Sequence, residues 1–162
     1  TLPEQERERF CQVLHHSRTS LYRLAFSITR NSSDAQEAGQ GSLPAYERYP
    51  QLREKEKLPR WLLKITANEA RRLCQRRGRT VSLDDLPTEP AIPGRETGDD
   101  TLWQAVQTLP RDQREAVVLF YYEDLPTEEI ARIVGTSPGA VRVRLSRARE
   151  KLRSILKEGD YG

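Results

Sequence analysis

Apolar positions along the chain recur at helical spacing, and nowhere do they alternate for any length as a half-buried strand requires. Leu21, Leu24, Ala25 and Ile28 follow an i, i+3, i+4, i+7 pattern, and the stretch NSSDA after Arg30 offers a stop followed by N-cap residues. From Pro59, which suits a first helical turn, a second helix is predicted to run toward Arg77. On a wheel of about 100° per residue, Leu62, Leu63, Thr66, Ala67, Ala70, Leu73 and Cys74 share one face. Lys64, Asn68, Arg71, Arg72 and Gln75 share the other, with Trp61 beside them.

The C-terminal part is more explicit. The stretches LWQAVQTL (102–109) and RDQREAVVLFYY (111–122) read as two helices separated by Pro110, with Leu102, Ala105, Val106 and Leu109 on one stripe. In LPTEEIARIVG, Thr127 suits an N-cap, Glu128 and Glu129 a first turn where the helix dipole favours anions, and Gly135 a left-handed C-terminus. This helix is short, about eight residues, and is followed by a new start at Ser137 with Pro138 at the first helical position. A short helix, a tight glycine turn and a second helix make a helix-turn-helix.

In the last helix Val141, Leu145, Ala148 and Leu152 all lie within about 40° of the direction of Val141 and form a core stripe. Arg142, Arg149 and Arg153 cluster on one flank, and Arg144, Arg147 and Lys151 on the other. Opposite the core lie Gly139, Ala140, Val143 and Ser146, small enough to let the helix approach another surface closely. A slim leading face bordered by cations is what a DNA major groove asks for, although a solvated helix surface is the ordinary alternative.

Composition bounds these readings. The 162 residues are 36% hydrophobic and 31% charged, enough for one mid-sized or two small cores, with no run of the length a membrane span needs. Net charge is only +3, yet residues 51–79 carry ten basic against three acidic side chains and residues 132–153 seven against one. Residues 80–101 reverse this with one basic against six acidic. Two basic segments separated by an acidic one suggest two polyanion-binding surfaces, with solvated helix faces as the alternative. LDDLPTEPAIPGRETGDD (83–100), with three prolines and two glycines, reads as an extended linker.

Cys11 and Cys74 have no metal-type spacing, and beyond the adjacent His15 and His16 there is no further ligand, so both cysteines are expected to be structural and no cofactor or metal is anticipated. No methionine occurs, even at position 1, so the chain is expected to lack its natural start residue. A cytoplasmic location is the expectation. No phosphate-binding loop or nucleophile motif is present, and no enzymatic activity is anticipated.

The residues 109–152, LPRDQREAVVLFYYEDLPTEEIARIVGTSPGAVRVRLSRAREKL, resemble the fourth domain of bacterial RNA polymerase sigma factors of the extracytoplasmic-function (ECF) type, most specifically in EEIA and GAVRVRLSRAR; Ala140 stands where that family commonly has threonine. Residues 18–79 are similar, less closely, to the family's second domain. Glu37 and Gln40 match positions that bind the polymerase clamp helices, with Tyr46 added as a third polymerase contact. The helix PRWLLKITANEARRLCQRRGR resembles the one that engages the melted minus-10 element, with Trp61 and Asn68 matching and Lys64, Arg71 and Arg72 on the same face.

The resemblance implies an all-α chain of two small helical domains. Residues 1–79 would bind core polymerase and the minus-10 element, 80–100 would be a flexible acidic linker threading the RNA exit path, and 101–162 would carry the helix-turn-helix for the minus-35 duplex. Gly139, Arg142, Val143, Ser146 and Arg147 would face bases or adjacent phosphates, and Arg144, Arg149 and Lys151 the DNA backbone. Partners implied are core RNA polymerase, promoter DNA and an anti-sigma factor. Two departures stand out: the chain is one residue short after Gln40, and Gly39, Gly41 and Pro44 enter a stretch normally helical, which predicts a break or kink near Pro44. Arg72 also stands where aspartate is frequent. Two other readings remain at this level: a helix-turn-helix regulator that acts without joining polymerase, which would dimerise on a palindrome, and a helical module whose basic faces bind acidic proteins.

Overall fold

The computed structural model describes residues 4–40, 57–77 and 100–161, and every element among them is helical. The chain divides into two compact units, Thr1–Ile92 and Pro93–Gly162. In the first, α1 (Glu4–Thr29) packs against α2 (Ser32–Gly39) and α3 (Leu58–Arg77). In the second, α4 (Asp100–Gln107), α5 (Arg111–Val117) and α6 (Thr127–Val134) each pack against the long α7 (Pro138–Tyr161). The fold is all-α, with a helix-turn-helix in its C-terminal unit. The predicted linker 80–100 lies outside the described residues except for Asp100, which opens α4 instead of ending a tether.

The first unit is built on the stripes its sequence announces. Leu21, Leu24, Ala25 and Ile28 of α1 are buried, together with Phe10 and Phe26, and meet Leu58, Leu62, Leu63, Thr66, Ala67, Ala70 and Leu73 of α3. Ala67 and Ala70 are fully buried, and their small side chains allow the helices to approach closely. Cys74, expected on the same core face, is only half-buried; its thiol donates to the Ile28 carbonyl at 3.3 Å. α1 ends where Arg30 adopts the left-handed conformation (φ 51°), and Asn31 caps α2, its side-chain oxygen accepting from the Asp34 N–H at 2.9 Å.

The second unit departs from the sequence reading in three places. Helix 111–122 is not α throughout: from Val118 to Tyr122 it opens into a π turn, in which the Glu123 N–H donates to the Val118 carbonyl at 3.2 Å. Residues Gln113 to Leu119 are buried in unbroken succession, so this is a central helix enclosed on all sides. The wider turn directs Tyr122 edge-on onto Trp103, with ring centroids 5.4 Å apart. Second, Trp103, absent from the predicted stripe, is fully buried, whereas Leu102 is only half-buried. Third, Thr127 is not the cap of α6 but its first helical residue. The preceding Pro126 supplies the cap with its backbone: its carbonyl accepts from the Glu129 and Ile130 N–H groups, both at 3.1 Å, and no side chain bonds there.

Candidate nucleic-acid interface

The turn between α6 and α7 is set by backbone chemistry. Gly135 sits at φ 75°, ψ 42°, a left-handed conformation that a residue without Cβ adopts without strain. Its N–H and that of Thr136 both donate to the Ala131 carbonyl, at 2.9 and 3.0 Å, which closes α6. Ser137 then starts α7: its hydroxyl accepts from the Ala140 N–H at 3.1 Å, and Pro138 fills the first helical position, where no amide donor is needed. Two helices are thus joined by three residues, and the direction of α7 is fixed at its N-terminal end.

Packing orients the rest. Val141, Leu145, Ala148 and Leu152 are buried against the other helices of the unit. Rotation about the axis is therefore fixed, and Gly139, Val143 and Ser146 face outward, with Val143 47% exposed. Arg142, Arg147, Arg149 and Lys151 are exposed beside them. Of the eight predicted residues of this helix seven are exposed, spread over the outward face and its two flanks, and Arg144 is half-buried.

Their cations differ in what holds them. Arg144 is half-buried, its Nε 3.8 Å from the Asp112 carboxylate of α5. Arg147 and Lys151 line an open groove with Gln113, Glu150 and Ser154. Arg149 donates from Nε to the Tyr121 hydroxyl at 2.6 Å, with its guanidinium carbon 5.5 Å from the Phe120 ring centroid and 5.8 Å from that of Tyr121. Tyr121 and Phe120 were not among the predicted residues.

On the first unit, Lys64, Asn68 and Arg72 are exposed on α3, with Trp61 and Arg71 half-buried beside them. Arg71 reaches the Asn68 side-chain oxygen at 3.5 Å. Arg72 is committed to Glu69, its Nε donating to the two carboxylate oxygens at 3.2 and 3.3 Å. That hydrogen bond, chiefly, holds the Glu69 carboxyl below its ordinary pKa. Glu37 is exposed on α2, 3.8 Å from the Arg76 guanidinium of α3, and Gln40 follows the last turn, its N–H donating to the Gln36 carbonyl. α2 ends at Gly39, ahead of the predicted break at Pro44; Pro44, Gly41 and Tyr46 lie outside the described residues. Among the described residues no helix is long and apolar enough to cross a membrane.

Residues 99–152 match the Sigma-70, region 4 family. The chain is 32% identical over 142 residues to RNA polymerase sigma factor SigV of Bacillus subtilis, covering 86% of each. It is 31% identical to the ECF RNA polymerase sigma factor EcfG of Rhodopseudomonas palustris, over 85% of this chain and 79% of that one. Among solved structures it resembles the sigma factor RpoE of Bartonella quintana, crystallised in complex with the anti-sigma factor NepR, with a TM-score of 0.76, 26% identity and coverage of 96% and 98% of the two chains.

Proposed function

The chain belongs to the ECF RNA polymerase sigma factors, and from that premise we infer that its two units divide promoter recognition between them. It is a transcription initiation factor: it binds core RNA polymerase and directs the enzyme to its promoters. The C-terminal unit takes the minus-35 element as duplex DNA. α7 enters the major groove with Gly139, Val143 and Ser146 leading, Arg142 and Arg147 reach base edges or the nearest phosphates, and Arg144, Arg149 and Lys151 grip the backbone. The observation that carries this reading is the small leading face of α7, fixed outward by its buried stripe and bordered by exposed cations.

The N-terminal unit takes the melted minus-10 element. A base that leaves the stack needs an aromatic surface and hydrogen-bonding groups to receive it, and α3 offers Trp61, Asn68, Lys64 and Arg71. Arg72 contributes less, because its charge is already balanced by Glu69. Glu37 on α2 and Gln40, which follows its last turn, are the polymerase contacts, with Tyr46 next in sequence. Residues 80–99 contribute the acidic stretch of sequence between the two basic ones. An anti-sigma factor holds the protein inactive, as the complex of its structural relative suggests. The protein works in the cytoplasm, where its polymerase is, and lends sequence choice to an enzyme whose catalytic groups belong to other chains.

Run-off transcription with purified core polymerase on a promoter library tests this. Initiation at a defined subset of sequences, with neither subunit active alone, is the expected result. A chain that binds palindromic DNA as a dimer and leaves core polymerase unchanged would instead be a regulator of another class.

A further inference from the structure

We propose that Tyr121 is a positioning residue for promoter binding, holding Arg149 in the orientation in which its guanidinium meets a DNA phosphate; this rests on the reading of α7 as the minus-35 helix. Two features of the site carry it. Tyr121 is 48% exposed, yet its hydroxyl accepts a 2.6 Å hydrogen bond from Arg149 Nε. The guanidinium carbon also lies 5.5 Å from the centroid of the Phe120 ring, which packs edge-on to Tyr121 with centroids 4.9 Å apart. An arginine on a helix surface ordinarily samples many rotamers. Here one donor is anchored on the Tyr121 hydroxyl and the guanidinium lies against the Phe120 ring, so its orientation is set before any ligand arrives.

The chemistry of the anchor suits an anion. A guanidinium has five N–H donors, and the bond to Tyr121 uses the one on Nε. The four on the two terminal nitrogens remain for a phosphate, which arginine meets with a bidentate fork. Arg149 lies on the same flank of α7 as Arg142, so a groove-bound α7 would bring a phosphate wall to it. The platform exists because the π turn Val118–Tyr122 directs Tyr122 inward onto Trp103 and leaves Tyr121 and Phe120 toward α7. Ordering such a side chain only on binding weakens affinity by a factor of about 2 to 10, and the anchor removes that cost in advance.

The test uses the chain assembled with core polymerase and a duplex promoter fragment chosen by run-off transcription, with affinity measured across a potassium chloride series. Arg149→Ala is expected to weaken binding and to reduce the slope of log affinity against log salt by about 0.9, the loss of one phosphate contact. Tyr121→Phe, which keeps the ring and removes the acceptor, is expected to weaken binding about 2- to 10-fold with the slope unchanged. It should have no further effect in an Arg149→Ala background. Affinity for core polymerase, unchanged in all variants, reports that the chain is folded. If Arg149→Ala alters neither affinity nor slope, the phosphate contact and the positioning role both fall. If it alters both while Tyr121→Phe has no effect, or weakens the Arg149→Ala holoenzyme as much as the unaltered one, the contact stands and the role of Tyr121 is refuted.

Discussion

Arg142 and Lys151 sit on opposite flanks of one helix, and the difference in their surroundings separates reading from gripping. Arg142 is exposed next to Val143, at the face proposed to lead into the groove; Lys151 stands more than two turns further on, lining an open groove with Gln113 and Ser154. Replacing Arg142 by Ala is therefore expected to cost about 1–3 kcal/mol of promoter binding and to relax preference at its base pair, measured as affinity across single-base variants of the minus-35 element. Replacing Lys151 by Ala should weaken all of those variants alike and flatten the salt dependence by about 0.9 in slope. Equal effects of the two changes would contradict the assignment. On α3 the corresponding distinction is between Arg71 and Arg72. Glu69 neutralises Arg72, so Glu69→Gln should strengthen binding of the holoenzyme to a melted minus-10 template and steepen its salt dependence. The same pair has a pH signature. The folded-state pKa of Glu69 is lowered by Arg72, so the stability it contributes is present above the ordinary carboxylate range and is lost as pH falls through the folded value. In Glu69→Gln that part of the acid-side loss should vanish from denaturant-unfolding curves.

At the scale of elements, helix ends show where side-chain and backbone chemistry divide the work. Asn31→Ala removes a side-chain cap and should cost about 1 kcal/mol, whereas Thr127→Ala should cost far less, because Pro126 caps α6 through its carbonyl. Gly135→Ala should cost about 1–2 kcal/mol. A Cβ there would meet nothing within 4 Å, so the cost is that of the left-handed backbone alone. Denaturant midpoints of the three variants check the ranking. The apolar stripes of α1, α3 and α7 were legible because each of these helices has a wet face and a dry one. The π turn was not, because Gln113 to Leu119 are all buried and a helix enclosed on every side has no periodicity to read. Nor was the N-terminal half of α1, where Phe10 is the one buried residue before Leu21. Trp103 escaped for a different reason: it lies one position from Leu102, and wheel angles alone do not say which of two neighbours the core will choose. Which residues of α7 face outward was readable from the wheel, while the partners of its arginines come from α5 and the π turn, distant in sequence.

At the scale of the molecule, charge is arranged in blocks, two basic segments with an acidic one between, and the basic ones fall mainly on α3 and on α7. Binding of holoenzyme to a full promoter should therefore weaken more steeply with salt than binding to a fragment carrying the minus-35 element alone, since two sets of phosphate contacts are released instead of one. Equal slopes would mean that the α3 face takes no part. The two tryptophans are also divided one to a unit: Trp103 is wholly enclosed in the C-terminal core, and Trp61 lies half-buried on the α3 surface. Each unit thus carries its own built-in optical reporter. In Trp61→Phe the remaining emission comes from an indole shielded from water and follows melting of the C-terminal core alone. With fluorine-labelled tryptophan the chain gives two resonances, and the Trp61 signal is the one that should shift when a single-stranded minus-10 oligonucleotide is added to the holoenzyme, so that occupancy of one promoter element can be watched without touching the residues that read the other.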